Sequence, residues 1–117
     1  MLKNYYIYKR WNSKMTLSKE QMKATKSEFA ENLALANLTI AEVAKELNTS
    51  EVKIERILNL KQRSLNDGWI LRNYLLRKVA EVGKTPVPFT ALSGDYHGYW
   101  FLDGEEIDSG ILSIGNH

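Results

Sequence analysis

The stretch Thr39–Leu60, TIAEVAKELNTSEVKIERILNL, constrains the fold more than any other part of the chain. Its apolar residues Val43, Leu47, Ile54 and Ile57 recur at spacings that turn inward on two successive short helices. Two such helices cross at a steep angle only where a small side chain sits at the crossing, and Ala44 stands there. Asn48 occupies the turn, where the backbone must become left-handed, a conformation Asn tolerates almost as well as Gly. Thr39 and Ser50 supply hydroxyl N-caps, and Glu42 lies three residues past Thr39 in capping-box register. The expectation is a helix over 40–47, a tight turn, and a second helix over 51–60.

The flanking segments complete a small helical core. Helix formers fill 18–36, with Met22, Phe29, Leu33 and Ala36 on one side and Lys19, Lys23 and Lys26 forming a solvated row on the other. After the polar connector Lys61-Gln62-Arg63, Asp67 offers an N-cap for a helix over 69–82 that Gly83 closes. The stripe Trp69, Leu71, Leu75, Leu76, Val79 and Val82 on that helix reads as core, with a dimer seam as the alternative. Pro86 and Pro88 then end the helical pattern, and Tyr99–Leu102, Asp103-Gly104 and Glu105–Ile107 read as a β-hairpin about an Asp-Gly turn. The expected fold is mainly α: a helix-turn-helix core of about four helices over 15–84, with a C-terminal β-hairpin segment over 85–117 in the same domain.

A chain of 117 residues that is 44% apolar can supply one domain with a modest core. It has no cysteine, which excludes disulfides and thiolate metal sites. No apolar run approaches the roughly 20 residues that span a bilayer, and the N-terminus lacks the apolar core of a signal peptide. The cytoplasm is the default compartment.

In register, the Thr39–Leu60 segment resembles the DNA-binding helix-turn-helix of phage repressors, whose second helix enters the major groove. That resemblance implies DNA contact by Thr49, Ser50, Glu51, Val52, Lys53 and Arg56. Arg56 is suited to a guanine edge and Val52 to a thymine methyl, while Lys53, Lys61 and Arg63 are suited to phosphates. Glu51 and Glu55 depart from a strong DNA reader. The blocks DGWILRNYLLRKV and GKTPVPFTALSGDYHGYWFL resemble a small bacterial family, domain-of-unknown-function family 2316, over about Met15 to Leu112. That second resemblance implies a helix-turn-helix fold with regulator-like expectations and brings no established activity. The expected function is a transcriptional regulator binding double-stranded DNA as a homodimer, because one such unit buries too little surface for tight specific binding.

Charge points to an alternative. Residues 85–117 carry five acids and no Lys or Arg, so a hairpin there would be repelled by phosphates. Within that segment Asp95 and His97 lie among Tyr96, Tyr99 and Trp100, a set suited to a ligand or dimer contact, which makes an interaction module on the same scaffold the second reading. No residue pattern names a small-molecule effector. The chain has no Gly-rich phosphate loop and no GxSxG, and two histidines cannot build a three-ligand metal site without several carboxylates. Neither an enzyme, a metal nor a cofactor is expected.

The first fourteen residues, MLKNYYIYKRWNSK, hold four cations and no acid, and a chain beginning at Met15 would carry a net charge of −2 in place of +2. Aromatic residues beside basic ones suit a nucleic-acid arm. Arg10-Trp11 is also encodable as AGG-TGG, a purine-rich ribosome-binding sequence placed before the codon of Met15, so residues 1–14 are expected to be a non-native extension. Mass spectrometry of the natively expressed protein should find Met15 at the N-terminus; a peptide containing Tyr5 or Tyr6 would overturn this reading.

Overall fold

A computed structural model describes residues 17–117, and the expectations for residues 1–14 lie outside the described residues. Helix α1 spans Lys19–Leu35, α2 Ile40–Glu46, α3 Glu51–Leu58, α4 Leu65–Glu81 and α5 Gly104–Ser109, with a 3₁₀ turn at Tyr96–Gly98 between the last two. The short helices begin where the sequence places their caps. Ser18 and Thr39 form reciprocal capping boxes with Gln21 and Glu42, and the Ser50 hydroxyl accepts from the Lys53 amide. Each of the first three links between helices turns on a left-handed residue: Asn37, Asn48 and Leu60, at φ 56°, 56° and 58°. At Asn48 that turn lets the Thr49 amide donate to the Ala44 carbonyl at 2.9 Å, closing the end of α2 just before α3 starts.

Helix α4 is the strut of the core. Its Trp69, Ile70, Leu71, Tyr74, Leu75 and Val79 are buried, and it packs against α1, α3 and α5. Phe29 of α1, Val43 and Ala44 of α2, and Ile54 and Ile57 of α3 complete one cluster with Phe89, Ile107 and Leu112 from the C-terminal third. The stripe on α4 is therefore core, and only Val82 at its end is exposed. Tyr74 donates to Glu46, which Lys78 also meets at 3.3 Å, fastening the end of α2 to α4. The segment after α4 is clipped to α1 by the buried Asn32 amide, which donates to the Val87 carbonyl at 2.9 Å and accepts from its amide at 2.8 Å. Beside it Glu28 accepts from the amide and hydroxyl of Thr90, at 3.2 and 2.8 Å.

Two expectations are corrected. No strand occurs among the described residues, so the C-terminal β-hairpin is absent. Asp103 is a helix cap whose carboxylate accepts from the Glu106 amide at 3.1 Å, Glu105 and Glu106 sit in the first turn where the helix dipole favours acid, and Gly110 ends the helix at φ 72°. Asp-Gly followed by two glutamates and a glycine thus spells a short capped helix. Asp67 is likewise no N-cap, because α4 starts at Leu65 and places Asp67 inside its first turn, fully buried.

Buried with it is Lys53 of α3, whose Nζ lies 3.1 Å from Asp67 Oδ2, and neither side chain has any solvent exposure. Removing one partner strands a charge, whereas replacing both by apolar groups is often neutral. Lys53→Met alone should cost about 3 kcal/mol in urea unfolding, and Lys53→Met with Asp67→Leu should recover most of that loss.

Candidate nucleic-acid interface

The two ends of α3 are fixed by what surrounds them, and this decides which side chains face outward. With about 100° between successive residues, Lys53, Ile54 and Ile57 share the inward side. Glu51, Val52, Glu55, Arg56 and Asn59 are exposed, Val52 to 52%. Of the residues expected at DNA, Glu51, Val52 and Arg56 share this outer face. Thr49 and Ser50 are half-buried at its leading edge, with the Ser50 hydroxyl spent between the Lys53 amide and the Asn116 side chain. Lys53 is a correction: its ammonium points into the protein and meets Asp67, Ser113 Oγ at 2.7 Å and the His117 carbonyl at 3.4 Å, so it is not available to a phosphate. The signal for this was present, since Lys53 precedes Ile57 by four residues on the inward stripe.

Arg56 stays exposed, and one of its five N–H groups is committed, donating to the Lys61 carbonyl at 2.7 Å. Lys61 and Arg63 are both exposed just past the helix, and Lys45 is exposed on α2. Glu55, expected only as a departure from a strong DNA reader, and Asn59, which was not singled out, complete the outer face.

The second expected group does come together. His97 stacks on Tyr96 with ring centroids 4.2 Å apart, and its two ring nitrogens meet Asp95 Oδ1 and Asp108 Oδ2, each at 2.7 Å. Tyr96 donates to Asp108 as well. Asp108 was missed because it lies on α5, where a hairpin was expected. Gly104 allows the approach: a Cβ there would stand 2.8 Å from His97 Cδ2. Tyr96 and Tyr99 lean on Trp69, at 5.5 and 6.0 Å, and the Tyr99 hydroxyl donates to the Ser93 carbonyl at 2.7 Å. Trp100 lies outermost, 69% exposed, meeting Phe101 edge-on at 5.9 Å.

The carboxylates occupy opposite ring nitrogens of His97 and do not converge on a common point. Among the described residues no group of three or more His, Cys, Asp or Glu is placed to hold a metal ion. The arrangement is a clasp between the 3₁₀ turn and α5. The hydrogen bond to Asp108, then that to Asp95, raises the His97 pKa above its ordinary 6.5. Asp95 is lowered by His97, and Asp108 is lowered by Tyr96 and then by His97.

These features define a small helical protein with two short helices across a tight turn and an acidic, aromatic C-terminal third. Residues 15–103 match the family described as "Uncharacterized protein conserved in bacteria (DUF2316)", and the chain belongs to it. No curated protein and no solved structure matches the chain.

The pH dependence of the clasp follows from those directions. The His97 contribution is fully present below its free value of 6.5 and is lost as pH rises through its raised folded value. The contributions of Asp95 and Asp108 are present above their free value of 3.8 and lost as pH falls through their lowered folded values. An NMR titration should place the His97 midpoint above 6.5, and Asp108→Asn should bring it down. A wild-type midpoint at or below 6.5 would show that the clasp does not form.

Proposed function

We propose that this protein is a cytoplasmic DNA-binding regulator that reads the major groove with α3 as a homodimer. The observation that carries the reading is the α2–turn–α3 unit. Its left-handed Asn48 and hydroxyl-capped second helix leave Glu51, Val52, Glu55, Arg56 and Asn59 in one outward row, the side that phage-repressor motifs present to bases. Arg56 retains donors for a guanine edge and Val52 an apolar surface for a thymine methyl. With Lys53 withdrawn into the core, phosphate contact falls to Lys45, Lys61 and Arg63, which are exposed around the motif. Glu51 and Glu55 select against most sequences, since a carboxylate in the groove is repelled by phosphates unless it accepts from cytosine. A homodimer supplies the surface that one unit lacks.

The exposed Trp100, beside the stacked Tyr99 and Phe101 in a segment without Lys or Arg, favours a second reading. In it, the C-terminal third of the chain engages a partner protein or ligand.

Selection of random duplex by the full chain, at two salt concentrations, separates the two readings. The first expects an enriched palindromic site, with affinity falling by a log–log slope of about −5 if some six phosphates are met by the dimer. Arg56→Ala should then weaken the enriched site by about 10- to 100-fold and relax preference at one base pair. Absence of enrichment at either salt would overturn the DNA reading and favour the second.

A further inference from the structure

The buried lysine of α3 is completed by a segment far from it in the chain. An ammonium has three donors, and of the three oxygens around Lys53 Nζ one belongs to Asp67 and two belong to the C-terminal segment: Ser113 Oγ at 2.7 Å and the His117 carbonyl at 3.4 Å. Ser113 also serves the opposite charge, donating its amide to Asp67 Oδ1 at 2.9 Å and its hydroxyl to Asp67 Oδ2 at 2.6 Å. Its single hydroxyl thus accepts from the cation and donates to the anion. Two further bonds reach the same region, from Ser50 to Asn116 and from the Arg63 amide to the His117 carbonyl at 3.1 Å. Residues 112–117 therefore grip the first turn of α3 and the loop that leaves the helix.

We propose that Ser113 is a positioning residue for α3: acting through Lys53, it latches the helix and fixes how Val52 and Arg56 are presented on its outer face. Their presentation to DNA rests on the function proposed above; the latch does not. Without the Ser113 hydroxyl, Lys53 and Asp67 each lose a partner where water does not reach, and the helix regains them only by shifting. Lys53 neighbours Val52 and stands three residues before Arg56, so any shift moves the reading row.

Hydrogen exchange on the full chain tests the latch. Ser113→Ala should speed exchange of the amides of α3 about tenfold while those of α1 change less than twofold. Ser113→Thr, which keeps the hydroxyl, and Ile114→Ser, at a neighbouring side chain 94% exposed, should both stay within twofold of wild type. Unchanged exchange in α3, or equal acceleration in α1 and α3, overturns the proposal. Should Ser113→Ala fail to fold, Asn116→Ala at the rim replaces it, with an acceleration of about threefold confined to α3 as the supporting result and none as the refuting one. In duplex selection, Ser113→Ala should lose about tenfold of the preference for the enriched site over random duplex while binding random duplex as before. Failure of the wild-type chain to enrich any site overturns the DNA reading alone, and the exchange data still decide the latch.

Discussion

A lysine ammonium and an aspartate carboxylate 3.1 Å apart, both without solvent exposure, hold this fold in register. Such a pair gains little net free energy, because desolvation offsets the attraction, but it tolerates few geometries. Lys53 comes from α3, Asp67 from the first turn of α4, and Ser113 from the segment after α5, so three elements must align for any of these groups to be satisfied. The rotation of α3 about its axis follows directly. Once Lys53 is inward, Ile54 and Ile57 meet the core and the remaining residues of the helix form its outer row.

What was legible in the sequence was local. Thr39, Ser50, Glu42 and Asn48 act on backbone groups within a few residues, so their chemistry alone fixed the short helices and the turn between them. The pattern Phe29, Val43, Ile54, Ile57, Leu71 and Leu75 likewise identified the core, because helical spacing sets the inward face without reference to partners. The β-hairpin failed on competing local signals: Asp-Gly suits both a two-residue turn and a helix start, and the two following glutamates and Gly110 favour the helix. Lys53 failed for a different reason. Its spacing is that of an inward residue, but a lysine is admitted there only by a carboxylate fourteen positions on and a serine sixty positions on, neither of which helical spacing brings near. His97 shows the same limit, since Asp95 is two residues away and visible while Asp108 arrives through the fold.

The withdrawal of Lys53 changes the electrostatics of α3 more than its shape. The outer row then holds Glu51 and Glu55 against Arg56, and the nearby cations sit on flanking elements at Lys45, Lys61 and Arg63. A helix charged in this way has little general affinity for a polyanion, since that affinity scales with the phosphates neutralised. Attraction to phosphates therefore falls to those flanking cations and not to the outer row of α3 itself.

The two candidate surfaces are joined by one short helix. Helix α5 is seated by Ile107 in the core, by Asn66 of α4, which accepts from the Asp103 amide at 3.0 Å and donates to Glu106 at 2.9 Å, and by the clasp of His97 on Asp108. From its end at Gly110 the chain passes through the buried Leu112 to Ser113. The seat of α5 therefore sets where Ser113 can reach, and Ser113 completes the pair that holds α3. The contacts from α5 to α3 are thus contiguous, running through the covalent chain at Leu112 and Ser113 and the buried Lys53–Asp67 pair. The His97 clasp is the exposed end of that chain of contacts and the buried pair its dry end.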